Sequence, residues 1–121
     1  MWSIVVCAGD EMEREQIIGY VRSFSRENNK TVEVEGCASW PKLYEKLEQT
    51  EPDIIIIAQD GVEGLNTITN IHLPPRRFIW FSDLDFSLQA YRLCLPWFGS
   101  KPVTYSKIVQ ALTRCLKTPV N

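Results

Sequence analysis

Two hydrophobic periods take turns along this chain, and each switch between them marks the passage from a predicted strand to a predicted helix. Ser3 to Cys7 is a short apolar run, and behind it, from Asp10 to Arg26, Ile17, Ile18, Val21 and Phe24 recur at helical spacing. Thr31 to Cys37 alternates Val32 and Val34 with Glu33 and Glu35, the period of a strand with one wet face near a sheet edge. Pro41 then opens a short helix carrying Leu43, Tyr44 and Leu47 on one side, since a first-turn proline forfeits only an N–H that has no helical partner. Asp53 to Ala58 holds four consecutive isoleucines without polar alternation, as in a strand covered on both faces. After a loop with Gly61 and Gly64, the residues Leu65, Ile68 and Ile71 predict a third helix, which Pro74-Pro75 stops. Phe78 to Phe81 makes a fourth strand, and Asp85 is placed to cap a helix from Phe86 to Leu93 with Leu88, Tyr91 and Leu93 facing inward. Pro96-Trp97-Phe98-Gly99 is a short aromatic fifth strand, and Thr104 caps a last helix bearing Ile108, Val109, Leu112 and Cys115.

Strand-helix units repeated in this way predict an α/β fold, a doubly wound five-stranded parallel sheet with right-handed crossovers in a single domain. The flavodoxin-like strand order 2-1-3-4-5 puts the alternating second strand at an edge and the isoleucine strand at the centre. Ligands of such sheets gather beyond the carboxyl ends of the strands. The residue that closes the isoleucine strand is Ala58, whose methyl group does no chemistry. Cys7-Ala8-Gly9-Asp10 follows the first strand in place of a glycine-rich phosphate loop, and a Walker lysine loop is missing, which disfavours a nucleotide site. A flavodoxin-type cofactor lacks its hydroxyl-rich phosphate loop as well.

Composition narrows the function classes further. The chain has 121 residues, 45% hydrophobic and 23% charged, as in an ordinary globular domain with no long apolar run. A net charge of -2 argues against nucleic-acid binding by this segment itself, and the Arg76-Arg77 pair is too small to supply a basic face. Cys7, Cys37, Cys94 and Cys115 are widely spaced and form no CxxC pair, so they read as reduced core residues. Met1-Trp2-Ser3-Ile4-Val5-Val6 enters a strand directly with no export signal, and a cytoplasmic location is expected. The single histidine, His72, falls at the end of the third helix, where a cationic side chain suits the helix terminus and no second ligand type is spaced to join it in metal binding.

Several landmarks in order carry a resemblance. Ile4-Val5-Val6-Cys7 precedes Asp10, Pro52-Asp53 leads the isoleucines, and Phe81-Ser82 ends the fourth strand. Phe86-Ser87-Leu88-Gln89-Ala90-Tyr91 follows, and Phe98-Gly99-Ser100-Lys101-Pro102 sets an aromatic before a Lys-Pro pair. From Ile4 to about Lys117 the chain resembles the CheY-like receiver domains of two-component response regulators, within them the sort that precedes a LytTR-type DNA-binding domain. In an active receiver a carboxylate accepts a phosphoryl group, an acidic pair holds Mg²⁺, and a lysine and a hydroxyl bind the product. The resemblance places Lys101 and Ser82 in the last two roles. It places Ala8 and Gly9 where the acidic pair belongs and Ala58 where the acceptor belongs. A degenerate phosphorylation pocket of Ala8, Gly9, Asp10, Ala58, Ser82 and Lys101 is therefore expected, with no cofactor, no metal and no enzymatic activity.

The alternative is an active phosphoacceptor at Asp60, with Asp10 and Glu11 binding Mg²⁺. Asp60 lies two residues past Ala58, about 6 to 7 Å along an extended chain, and Asp60-Gly61 also reads as a plain turn. Asp10 and Glu11 equally read as first-turn acids that complement a helix dipole. Lys101 is expected to form a salt bridge to Asp10 or Asp60. Among the four tryptophans, Trp80 reads as core and Trp97 points opposite to Phe98. The resemblance places Tyr91, Arg92, Trp97 and Tyr105 on the surface of the fourth helix, fifth strand and fifth helix, where a protein partner or a second copy would bind; ordinary helix-to-sheet packing is the plainer reading of each. Any DNA-binding domain would lie outside the residues given.

Overall fold

The structure, a computed structural model, describes residues 1–116, so that Lys117, at the end of the resemblance, lies outside the described residues. Five strands, β1 (Trp2–Cys7), β2 (Val32–Cys37), β3 (Ile54–Ile57), β4 (Phe78–Ser82) and β5 (Trp97–Ser100), alternate with five helices, α1 (Glu11–Glu27), α2 (Trp40–Gln49), α3 (Glu63–Asn70), α4 (Ser87–Arg92) and α5 (Tyr105–Leu116). A short 3-10 turn, Pro75–Arg77, leads into β4. The sheet is parallel throughout in the order β2-β1-β3-β4-β5, as the hydrophobic pattern predicts.

Why β3 is central follows from its composition. Ile54 to Ile57 pair with Ile4 to Cys7 on one side, Ile55 to Ile57 pair with Phe78 to Trp80 on the other, and all four isoleucines are buried. The pleat sends alternate residues to opposite faces. Ile4, Val6, Ile54, Ile56, Ile79 and Phe81 meet α1 and α5, whereas Val5, Cys7, Ile55, Ile57, Phe78 and Trp80 meet α2, α3 and α4. At the edge, β2 keeps Glu33 and Glu35 in water while Val32 and Val34 are half-buried. Trp97 and Phe98 part to opposite faces in the same way. Trp97 lies under the Arg114 guanidinium at 5.8 Å, and Phe98 meets Trp80 edge-on at 5.2 Å.

Capping sets the helix starts. Asp10 accepts from the Glu13 N–H at 3.0 Å and Thr104 Oγ1 accepts from the Lys107 N–H at 3.2 Å, so α1 and α5 begin where their cap residues predict. Helix α4 differs from its prediction. Asp85 accepts from the Ser87 N–H and hydroxyl, but the cap position belongs to Phe86. Leu88 and Tyr91, expected inside, are 54% and 81% exposed, while Ala90 is the buried residue of the helix. The reason is packing: the Phe86 ring stacks on Trp80 at 5.1 Å and 15°, filling the place under the helix, and the small Ala90 then turns to the sheet. Leu93 is half-buried against the same core. Tyr44 is likewise outside, 52% exposed and stacked on Trp40 at 6.5 Å, while its neighbour Leu43 carries the contact of α2 with the sheet. Close approach is also needed at Gly64 in α3, where a Cβ would stand 2.7 Å from Trp80 Nε1.

Candidate functional site

Strands β1, β3, β4 and β5 end at one rim, which brings together segments far apart in sequence: Ala8 to Asp10 after β1, Ala58 to Asp60 after β3, Ser82 and Asp83 at β4, and Lys101 after β5. Ala8 and Ala58 are tied into the end of the sheet, Ala8 donating its N–H to the Cys37 carbonyl at 3.1 Å and Ala58 to the Cys7 carbonyl at 2.9 Å. Both methyl groups are buried. Arg14 Nη1 donates to the Ala8 carbonyl at 2.7 Å, which pulls a cation from α1 over the end of β1. Gly9 is exposed beside them.

Lys101 is the hub. Its ammonium donates to Glu13 Oε1 at 2.8 Å, the Ala58 carbonyl at 2.8 Å and Asp60 Oδ1 at 2.7 Å. An ammonium has three hydrogens, so its donor capacity is filled by these acceptors. The lysine side chain is 12% exposed and that of Asp60 is 70% exposed, so the pair with Glu13 is the more sheltered half of the network. Burial works against the charge on Lys101, but its hydrogen bonds to Asp60 and Glu13 outweigh that and raise its pKa above the ordinary lysine value. Of the two predicted partners, Asp60 is present and Asp10 is replaced by Glu13. Asp10 is committed to its cap, which leaves the next carboxylate on that side of α1 to reach the lysine.

Ser82 is fully buried and turns its hydroxyl to its own loop, accepting from the Leu84 N–H at 3.1 Å. Asp83 Oδ1 accepts from the Gly61 N–H at 2.8 Å, and Gly61 takes the left-handed backbone, φ 60°, that lets the loop after β3 turn toward it. Gln59 is buried and accepts from the Thr67 hydroxyl, anchoring the same loop to α3. Glu13, Gln59 and Asp83 were not singled out from the sequence. For Glu13 the signal is its place three residues after the Asp10 cap, the spacing of a capping box.

Mg²⁺ demands near-octahedral oxygen ligation, with carboxylates free to face one point. Here one oxygen of Asp10 holds the end of a helix, Glu13 and Asp60 hold Lys101, and among the described residues no group of three His, Cys, Asp or Glu side chains is placed to hold a metal ion. Asp10, Glu11 and Asp60 line one open cleft with Lys101 and Pro102, but among the described residues they form no group placed to hold a metal ion. The residues present do not fit the receiver's magnesium ion.

Tyr91 and Arg92 project from α4 into solvent, and Trp97 lies half-buried on β5. Tyr105 does not join them. Its ring packs on Tyr20 of α1 at 6.0 Å and its hydroxyl donates to Glu27, which separates it from the α4 surface. Leu84, in the loop before α4, is 46% exposed. His72 is exposed in a cleft that it shares with Trp40 and Tyr44 of α2.

No family model matches the chain and no curated protein matches its sequence. Solved structures match it over nearly its whole length. A candidate response regulator from Chloroflexus aurantiacus superimposes with a TM-score of 0.73 at 15% identity, covering 97% of this chain and 98% of that one. A response regulator receiver domain protein from Clostridium thermocellum gives 0.70 at 19% identity, covering 97% and 95%. The chemotaxis response regulator CheY4 of Vibrio cholerae gives 0.71 at 12% identity, covering 95% and 98%. The fold is therefore that of the CheY-like receiver domains. None of the described helices is long and apolar enough to cross a membrane.

Proposed function

We propose that this chain is a degenerate receiver domain of the two-component type, a non-enzymatic cytoplasmic module that works by protein contact without aspartyl phosphorylation or Mg²⁺. One observation supports the reading: the methyl of Ala58, where the resemblance puts the phosphoacceptor, is buried, and Lys101 spends its hydrogens on Glu13, Asp60 and the Ala58 carbonyl. Lys101 thus does internally what a phosphoryl group would otherwise ask of it. The contact surface in this reading is the α4–β5–α5 side, where Leu88, Tyr91 and Arg92 of α4 are exposed and Trp97 of β5 is half-buried, an aromatic and arginine set suited to a protein partner or a second copy. Regulation of transcription, in the manner of receivers that precede LytTR-type domains, is the cellular setting that the sequence landmarks favour.

Incubating the chain with Mg²⁺ and acetyl phosphate and weighing it intact tests this reading. Unchanged mass is the expected result. A gain of one phosphate that vanishes in Asp60→Ala would establish the active alternative, in which the exposed Asp60 leaves Lys101 to accept the group.

A further inference from the structure

Outside the rim, the structure brings two thiols together that the sequence keeps apart. Cys7 ends β1, Cys37 ends β2, and the parallel ladder pairs them residue to residue. Both thiols are free, and both side chains lie in the core beneath α2. Adjacent strands run about 4.8 Å apart, within the Cα separation of about 4.4 to 6.8 Å that a disulfide spans. Both are the last residues of their strands.

The two thiols are not equivalent. Cys37, 6% exposed, lines an open cleft with Lys42 and Lys46, whereas Cys7 is completely enclosed. A hydrogen bond from Cys7 is the largest influence on Cys37 and lowers its pKa; burial opposes this, and the cations of Lys46 and Arg14 add to it. The same bond, with burial, raises the Cys7 thiol far above its ordinary range. A cleft-lining thiol beside cations, paired across the ladder with a second thiol, is the arrangement of a redox-responsive pair.

We propose that Cys7 and Cys37 form an oxidisable dithiol, a modification site for hydrogen peroxide or a related hydroperoxide, that closes reversibly into a disulfide joining β1 to β2. The Cys37 thiolate attacks one peroxide oxygen, the O–O bond breaks, and the departing hydroxide takes a proton to leave as water. The Cys37 sulfenic acid that remains is attacked by the sulfur of Cys7. The S–O bond breaks as the S–S bond forms, and the Cys7 proton leaves with the second hydroxide as water. Two electrons pass from two thiols to one peroxide, and a dithiol reductant reverses the change.

Exposing the reduced full chain to graded hydrogen peroxide, alkylating it in denaturant and mapping the peptides tests the assignment. The expected result is a loss of 2 Da, a Cys7–Cys37 linked peptide, and disappearance of these two thiols at least tenfold faster than that of Cys115, a half-buried thiol whose pKa burial pushes up to about 11. Dithiothreitol restores both. In Cys7→Ser no bridge forms, and Cys37 goes on to the sulfinic acid. Should that variant not fold, the linked peptide from the unaltered chain decides alone. Cys7 and Cys37 remaining fully alkylatable while the exposed Cys94 oxidises, or Cys115 oxidising as fast as the pair, would overturn the proposal.

Discussion

Helices α1 and α5 hold the sheet differently from α2, α3 and α4. Helix α1 buries Ile17, Ile18, Val21 and Phe24, and α5 buries Ile108, Ala111, Leu112 and Leu116, so each lays a full apolar stripe on one face. On the other face α2 buries Leu43, α3 buries Gly64, Thr67 and Ile68, and α4 buries Ala90. With each fully buried aliphatic side chain worth roughly 1.5 to 3 kcal/mol, most helix-to-sheet anchoring sits in the first layer. The second layer keeps Tyr44, Leu88 and Tyr91 in solvent and covers the thiol pair. The first layer carries most of the anchoring, and the second leaves more apolar surface in solvent.

The contrast predicts an ordered set of effects. Leu112→Ala, in the anchored layer and fully buried, should lower the unfolding free energy by about 2 to 5 kcal/mol in urea titrations. A loss no larger than that of a surface substitution would break the comparison.

Lys101 is the joint between the layers, since Glu13 belongs to α1 and Asp60 to the loop leading into α3. Lys101→Met should cost about 1 to 3 kcal/mol, because it leaves the partly buried Glu13 carboxylate and the Ala58 carbonyl without their donor. Its pKa is raised on folding, so its contribution is complete below the unfolded value of about 10.4 and is lost as pH climbs through the folded one. Urea midpoints of the unaltered chain should therefore fall above about pH 10.4, and the part of that fall due to Lys101 should be absent in Lys101→Met. Parallel alkaline profiles for the two would remove the lysine from this role.

Smallest in stability is the change on α4. Leu88→Ala and Tyr91→Ala should each move the unfolding free energy by less than about 0.5 kcal/mol, while the proposed binding of a protein partner or a second copy, read by sedimentation, is weakened. A core-sized destabilisation from either would show that α4 is anchored after all.

Local periodicity sufficed for much of this molecule. The switch between spacings near 2 and 3.6 residues located five strands and five helices, the isoleucine run identified the central strand, and the strand order followed. Strand ends in such a sheet share one rim, and the resemblance to receiver domains grouped Ala8, Gly9, Asp10, Ala58, Ser82 and Lys101 there. Spacing failed on α4, a helix too short for its stripe to be defined against noise, where the Phe86–Trp80 stack set the rotation. The resemblance grouped Tyr105 with the α4 surface, whereas its ring packs on Tyr20 of α1.

Side-chain identity and spacing along the chain determined which residues are buried and which segments meet at the rim, because those depend on neighbours a few positions away. Only the tertiary structure decided that Lys101 reaches Glu13 in place of Asp10, that α4 shows Tyr91 to solvent, and that Cys7 faces Cys37 across the ladder. Each of these depends on the register and rotation of elements distant in sequence, which packing sets to within an ångström and a one-dimensional pattern does not encode.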